Sequence, residues 1–286
     1  MSTLILTDLH GNLPALEAVL AHPAAQSCSD VVSLGDHVNF GPESRAVHNR
    51  LTGLGAHLLL GNHEERLLHP ADSAFDGYNW RLMRWTARQM AGVDLASLPT
   101  DLQRGQTLMT HGTPGDPYHL VQPAEAAALL DSLPDGVTLL LSGHNHTPWD
   151  VARSGRRWVN PGSAGMQELV PGTTAAGEAG LAAFLVLDGT EVTHYTALYS
   201  VDDVARAFIA TGAARVAPEL SRAVLHVMRT AEPQGAMKLI RHVSAVAAGM
   251  GLTLADESAW KAADRTFPWS EAITSEEYWY NMEKSL

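Results

Sequence analysis

The chain has 286 residues, 45% of them hydrophobic, and this length can bury one substantial core and a smaller second one. Its formal net charge of −12 and the lack of any basic run exclude extended binding to a nucleic-acid backbone. A single cysteine, Cys28, excludes an internal disulfide framework. Because no apolar stretch approaches a membrane span and no basic leader precedes the first strand, we expect a cytoplasmic protein that does not bind membranes.

In chain order, the first half contains short apolar runs that each end at polar side chains. These runs predict strands at Thr3 to Leu6, Val31 to Leu34, His57 to Leu60, Thr107 to Thr110 and Val137 to Leu141. The side chains that follow them are Asp8, His10, Asp36, Asn62, His111, His144 and His146. Because open α/β sheets place their sites at the carboxyl ends of strands, we expect these side chains to converge on one edge.

The residue types at this edge predict metal binding. Asp8 and His10 are separated by one residue, as are His144 and His146, so both members of each pair can reach one ion. Carboxylate, amide oxygen and neutral imidazole suit first-row ions such as Mn, Fe, Zn, Co or Ni. No cysteine cluster competes for a structural zinc. Together these side chains predict a two-metal site for phosphoester hydrolysis.

The second half predicts three further strands and then a change to helices. The strands are expected at Arg157 to Val159, Leu181 to Leu187 and Glu191 to Ala197, and a loop is expected at Pro171 to Gly180. Between the early strands, Asp72 to Leu98 is expected to form a helical excursion over one rim. From Val201 the apolar residues follow helical spacing, with Gly251 as a stop signal, and Thr266 to Leu286 adds aromatic residues.

We therefore expect a catalytic domain at residues 1–200 and a helical C-terminal appendage at residues 201–286. The amphipathic helices of this appendage must bury their apolar faces somewhere. Three roles stay open: bracing the fold, capping the site, or forming a homo-oligomer through the C-terminal helices.

Five short motifs carry the side chains named above: Asp8 to His10, Gly35-Asp36, Gly61 to Glu64, His111-Gly112 and Gly143 to His146. In their order and spacing they resemble the calcineurin-like metallophosphoesterase family, whose pattern is D-x-H, G-D, G-N-H-[DE], H-G and G-H-x-H. The resemblance covers about the first two hundred residues. Segments Asp36 to Pro42, Trp85 to Met90 and Asn160 to Ser163 are similar to a bacterial branch of small phosphodiesterase-like proteins. The resemblance implies an α/β fold, a four-layer αββα sandwich, here with a C-terminal helical appendage.

The family also implies a role for each matching residue. The first metal would be held by Asp8, His10, Asp36 and His146, and the second by Asp36, Asn62, His111 and His144, with Asp36 bridging. The cofactor implied is two divalent ions, with manganese expected first and Fe, Zn, Co or Ni as alternatives. A metal-bridging hydroxide would attack the phosphorus. His63 would stabilise the transition state or protonate the leaving group, and Glu64 would orient His63.

The substrate is less well defined than the chemistry. The loop after Asp36 differs from the branch pattern G-D-x-V-G-Y-G-P at Asn39 and Phe40. Together with His37 these residues alter a wall near the metals, with Asn145 and Tyr118 as further wall candidates. We expect His37, Asn39 and Asn12 to contact substrate, although Asn12 also has the position of a helix cap.

The expected partner is a small phosphoester, nucleotide-like in character, and diester and monoester hydrolysis stay open. The alternatives on the same fold are a catalytically silent scaffold and a regulatory module whose C-terminal helices bind a protein. The intact Asp8, Asp36, Asn62 and His63 argue against the silent scaffold.

Overall fold

The computed structural model describes residues 1–69, 75–121, 123–169, 179–269 and 275–285. Its strands are β1 (Thr3–Leu6), β2 (Asp30–Ser33), β3 (His57–Leu58), β4 (Asp101–Arg104), β5 (Thr107–Thr110), β6 (Leu139–Leu141), β7 (Trp149–Arg153), β8 (Arg156–Asn160), β9 (Ala179–Asp188) and β10 (Glu191–Ser200). Its helices are α1 (Leu13–Ala21), α2 (Pro23–Gln26), α3 (Ser44–Gly53), α4 (Asn62–Leu67), α5 (Arg81–Gln89), α6 (Ala126–Ser132), α7 (Val201–Thr211), α8 (Ala213–Val216), α9 (Pro218–Thr230), α10 (Gly235–Met250), α11 (Glu257–Thr266) and α12 (Ser275–Ser285).

The strands form two five-stranded sheets, in the orders β10-β9-β1-β2-β3 and β4-β5-β6-β8-β7. In each sheet the central strands are parallel: β1, β2 and β3 in the first, and β5, β6 and β8 in the second. The inner faces share one apolar cluster, which includes Ile5, Val32, Leu34, Met109, Leu141, Val159 and Leu185. Helix α1 packs on β9 and β10, and α6 packs on β7 and β8. The expected αββα sandwich with C-terminal helices is confirmed.

The strand predictions hold with shifted ends, and two strands were missed. Strands β4 and β7 carry partly exposed, polar-rich sequences, so no apolar run marks them; each pairs with a neighbour through its backbone. The predicted loop ended at Gly180, which instead belongs to β9. The rest of that loop through residue 178, residues 72–74 of the predicted excursion, and residues 270–274 and 286 of the terminal segment lie outside the described residues.

The C-terminal helices pack against the first sheet rather than standing apart from it. One buried cluster joins both sides of Ser200 and includes Leu4, Leu6, Leu16, Phe184, Val204, Phe208, Val224, Trp260 and Trp279. Helix α9 contacts β9, and α8 contacts α5. These contacts favour the bracing role, and the division at Ser200 stays a prediction. Throughout the described ranges, no helix combines the length and apolarity needed to cross a membrane.

A buried ion pair ties the appendage to α5. Arg81 on α5 donates to Glu219 on α9, and its guanidinium lies 3.6 Å from the centre of the Tyr78 ring and 4.7 Å from that of Trp260. Both side chains of the pair are about 95% buried, since their exposed fractions are 5% and 4%. The pair is therefore a buried contact between two residues that are far apart in the chain.

The Arg81→Met variant is expected to lose about 3–5 kcal/mol of unfolding free energy, because Glu219 would be left buried without a counter-charge. Denaturant unfolding of the metal-loaded protein measures the loss. The double variant Arg81→Met with Glu219→Leu should recover most of it, since the unpaired charge is gone. Equal losses in the single and double variants would contradict this account.

Candidate metal centre

The strand ends bring the predicted ligands together at one edge of the sandwich. Asp8 and His10 follow β1, Asp36 follows β2, Asn62 opens α4, His111 follows β5, and His144 and His146 follow β6. Three overlapping groups form, each with its ligand atoms within 4.8 Å of one another: Asp8, His10 and His146; His10, Asp36 and His63; and Asp36, His111 and His144. The predicted residues thus converge as the strand order requires.

Several of these residues have a backbone conformation that side chains other than glycine rarely adopt. The φ angles are 53° at Asp8, 47° at His10, 52° at Asp36, 70° at His144 and 57° at His146. Each such left-handed residue costs on the order of 1–3 kcal/mol, and strain of this kind clusters at functional sites. The left-handed turns let two residues separated by one intervening residue direct their side chains into the same cluster.

The glycines before the ligands are required by close backbone approach. A Cβ atom on Gly61 would lie 2.2 Å from Asp36 Oδ1, and one on Gly143 would lie 2.0 Å from Thr7 Oγ1. Both distances are well inside van der Waals contact. The G-N-H and G-H-x-H patterns therefore have a steric cause at these two positions.

The chemistry of the donor atoms fits a cation. Asp8 Oδ2 accepts from Thr7 Oγ1 and from the backbone N–H of His144, whereas the buried Asp8 Oδ1 has no hydrogen-bond partner among the residues that the structure describes. This oxygen lies 3.4 Å from His146 Nε2 and 3.8 Å from His10 Nε2. The two imidazole nitrogens lie only 2.9 Å apart. A metal ion would satisfy all three atoms at once.

Backbone carbonyls fix the orientation of three rings. His10 Nδ1 lies 3.2 Å from the Val38 carbonyl, His111 Nδ1 lies 3.2 Å from that of Leu34, and His144 Nε2 lies 3.2 Å from that of Tyr118. When these nitrogens carry the proton, the other nitrogen of each ring presents a lone pair to the centre. Such outer contacts set the tautomer of metal-binding histidines.

Burial and neighbouring charges set the protonation of the centre. Burial and the nearby His146 lower the pKa of His10 to about 3, which keeps this ring neutral and able to bind metal. Burial raises the pKa of Asp36 to about 6. Burial alone would lower the pKa of His111, but the carboxylate of Asp36 at 3.2 Å raises it to about 9. A cation would therefore displace the His111 proton.

His63 lies beside the centre with one nitrogen held by Asn39. Its Nε2 is 3.9 Å from Asp36 Oδ2, and its backbone N–H donates to Asp36 Oδ1 at 2.8 Å. Asn39 Oδ1 accepts from Thr86 Oγ1 at 3.4 Å, which leaves Asn39 Nδ2 facing His63 Nδ1 at 2.7 Å. An amide N–H donating to Nδ1 places the imidazole hydrogen on Nε2, the nitrogen that faces the centre.

The Asn39→Asp variant is expected to gain an alkaline limb in its profile of kcat/KM against pH. A carboxylate at this position accepts from Nδ1–H, so it raises the pKa of His63, which burial now holds well below its usual range. Above the raised pKa the hydrogen stays on Nδ1, and Nε2 can no longer donate. Aspartate also tolerates the left-handed φ of 66° at this position.

Kinetics across the pH range, with metal content checked in parallel, measure this change. The Thr86→Val variant provides a matched control, because it frees the amide without adding a charge and should gain no alkaline limb. Identical alkaline behaviour in wild type and Asn39→Asp would contradict the tautomer assignment.

The structure corrects the role expected for Glu64. Its Oε2 accepts from the backbone N–H groups of Asp36 and Gly61, both at 2.8 Å, and its Oε1 accepts from that of Val38. Glu64 therefore holds the loop that carries Asp36, and Asn39 is the side chain that orients His63. The sequence did not distinguish these roles, because Glu64 is adjacent in the chain and Asn39 is adjacent only in space.

The other predicted substrate contacts are buried and engaged with protein. Asn12 Oδ1 accepts from Ala15 N at 3.0 Å, which confirms the helix cap, and its Nδ2 donates to the Gly165 carbonyl. His37 lies between Glu64 and His48, with contacts of 3.1 Å to each. Substrate contact by Asn12 and His37 stays a prediction, and both side chains already have protein partners.

Asn160 and Ser163 support the ligand loops. Asn160 Nδ2 donates to the Gly143 carbonyl at 2.6 Å, and Ser163 Oγ donates to the Asp8 carbonyl at 2.7 Å. These bonds satisfy backbone carbonyls at strained turns. The segment Asn160 to Ser163 thus fixes the backbone around Asp8 and His144.

Comparison with known proteins agrees with this geometry. The profile of the calcineurin-like phosphoesterase superfamily domain matches residues 1–179. The chain belongs to this superfamily. The superfamily match supports phosphoester hydrolysis in general, and the Asp and His groups described above could bind a metal ion.

Several known proteins are similar to this chain in sequence or in fold. The Methanocaldococcus jannaschii protein MJ0912 is 23% identical over 174 residues, which are 57% of this chain and 70% of that protein. A metallophosphoesterase from Sphaerobacter thermophilus has a TM-score of 0.66 at 24% identity, covering 79% of this chain and 99% of that one. Protein PH1004 from Pyrococcus horikoshii OT3 has a TM-score of 0.64 at 18% identity, covering 78% and 97%. The two structures establish likeness of fold.

Proposed function

We propose that this protein is a dinuclear metal-dependent phosphoesterase that hydrolyses small, nucleotide-like phosphodiesters or phosphomonoesters. The observation that carries the proposal is the buried, unpartnered Asp8 Oδ1 among imidazole nitrogens, beside a second group at Asp36, His111 and His144. Two divalent ions, with manganese first among the candidates, would supply Lewis-acid stabilisation of the phosphoryl oxygens and a nucleophilic water of lowered pKa.

The chain's own residues would hold and orient the reacting groups. Asp8, His10 and His146 would hold one ion, Asn62, His111 and His144 the other, and Asp36 would bridge. His63 would donate a hydrogen bond from Nε2 to the developing charge on the phosphoryl or leaving oxygen, with Asn39 keeping the hydrogen on that nitrogen.

The Phe40 ring contributes a wall to this arrangement. Its centroid lies 4.8 Å from that of His63 and 5.1 Å from that of His10, so Phe40 limits solvent beside both rings. A silent scaffold would need none of these orienting contacts, and their presence supports the catalytic proposal over that alternative.

Hydrolysis of an aryl phosphomonoester and an aryl phosphodiester by metal-stripped protein resupplied with Mn²⁺ tests the proposal. Manganese-dependent turnover of either substrate is the expected result, and the ratio of the two rates gives the ester class. Two bound metal ions with no turnover of either ester or of a panel of nucleotides would overturn it.

A further inference from the structure

Arg66 lies beside the metal centre, with its guanidinium against two aromatic rings. It is in the last turn of α4, half-buried, with its guanidinium 5.2 Å from the centre of the Tyr118 ring and 5.9 Å from that of Trp80. Among the residues that the structure describes, none offers a carboxylate oxygen within 4.0 Å of it. The aromatic faces position the guanidinium, and its Nη1 lies 3.2 Å from the side-chain amide of Asn62.

The amide of Asn62 decides what Arg66 faces. In one orientation the amide oxygen lies 3.1 Å from His111 Nε2, among the ligand atoms of Asp36 and His144. In the other orientation that oxygen instead accepts from Arg66 Nη1 at 3.2 Å. Only the first orientation lets Asn62 bind a cation, because an amide binds metals through oxygen.

Metal binding by Asn62 thus deprives Arg66 of its acceptor. With the oxygen turned to the centre, the Asn62 NH₂ group faces the Arg66 guanidinium, and two donors meet. A half-buried guanidinium facing a donor is available to an anionic acceptor from outside the protein. Such an acceptor must lie close to Asn62 and therefore close to the reacting phosphoryl group.

We infer that Arg66 binds a terminal phosphoryl oxygen of the substrate and selects phosphomonoester dianions over diesters. A monoester dianion carries three terminal oxygens and two negative charges. A diester carries two terminal oxygens and one charge, and its remaining position is an ester oxygen that is a weak acceptor. The Arg66 guanidinium, a fixed planar donor, favours the monoester by charge and by hydrogen bonding. The inference rests on the proposed function and specifies its ester class.

Equilibrium binding tests the inference independently of turnover. Calorimetry on manganese-loaded protein in mildly alkaline buffer would compare inorganic phosphate, a dianion, with dimethyl phosphate, a monoanion. The Arg66→Gln variant is expected to bind phosphate at least about 10-fold more weakly, the effect of one lost charge-assisted hydrogen bond. Its affinity for dimethyl phosphate should change by less than about 3-fold.

Two further variants separate the effect of the planar guanidinium from that of positive charge alone. Arg66→Lys keeps the charge without the planar fork and should fall between wild type and Arg66→Gln. Arg50→Gln removes an exposed cation that pairs with Glu17 and should leave both affinities unchanged. The aryl ester pair should show the same split, with kcat/KM falling mainly for the monoester.

The outcomes distinguish this inference from the proposed function. Metal-loaded wild type that hydrolyses esters, together with an Arg66→Gln variant that keeps full phosphate affinity or loses both ligands equally, overturns the role of Arg66 alone. Wild type that holds both ions but neither binds phosphate nor hydrolyses any ester overturns both proposals.

Discussion

The His63→Ala variant is expected to keep both metal ions while kcat falls by about 10²–10⁴-fold, the range typical of a lost general acid or base. His63 contributes a ring nitrogen 3.9 Å from Asp36 Oδ2, and its ring is not among the ligands expected for either ion. The two metal groups of Asp8, His10 and His146 and of Asp36, His111 and His144 stay complete without it. Substitution of His63 should therefore lower turnover without lowering the metal content.

Metal analysis by mass spectrometry beside steady-state kinetics measures both quantities on the same sample. The His57→Ala variant is a matched control, since His57 is half-exposed at the start of β3 and pairs with Asp30. It should keep metal content and turnover. Unchanged turnover in His63→Ala would remove His63 from the mechanism, and loss of an ion would make it a ligand.

The convergence of the expected metal ligands could be predicted from sequence because each motif follows a strand. Asp8 and His10 both follow β1, and the carboxyl ends of parallel strands lie at one edge of the sheet. The position of a residue after a strand therefore predicts its position at this edge. Gly61 and Gly143 belong to the same motifs, although the steric conflicts that require a glycine there involve Asp36 and Thr7, which are distant in the chain.

The roles of Asn39 and Arg66 beside the centre could not be predicted in this way. Asn39 and Thr86 are 47 positions apart, and their contact depends on how α5 packs over the loop after β2. Arg66 is one cation in a polar helix, a pattern that most often means a solvated face. Its significance depends on the orientation of the Asn62 amide, which only the assembled centre defines.

The appendage is a similar case, because periodicity predicted its helices but not their contacts. Leu169 donates its backbone N–H to the Ala231 carbonyl at 2.9 Å. The side-chain carboxylate of Glu168 accepts from the backbone N–H of Gln234 at 2.8 Å. Asn12 Nδ2 lies 3.8 Å from Met228 Sδ. Glu168 also donates its backbone N–H to the His146 carbonyl at 3.0 Å. The turn between α9 and α10 thus supports the backbone beside His146, which links the fold of the appendage to the geometry of the centre.

The Asp36→Ala variant is expected to lose metal and to reduce kcat/KM by at least about 10³-fold, since the ions supply several kcal/mol of transition-state stabilisation. Asp36 is the one residue expected to bridge both ions, and its Oδ2 lies 3.2 Å from His111 Nε2 and 3.9 Å from His63 Nε2. Removing it takes a carboxylate from both metal positions at once.

The Asp36→Asn variant separates charge from shape in this prediction. Asparagine tolerates the left-handed φ of 52° and can still accept from the His63 backbone N–H, so the loop should keep its form. Because the neutral amide cannot balance the charge of two divalent ions, metal affinity should fall in this variant too. The metal-free variant should unfold at a midpoint close to that of the metal-free wild type. Full metal occupancy in both variants would show that the bridge lies elsewhere. Loss in Asp36→Ala alone would show that Asp36 acts through the loop backbone rather than through its charge.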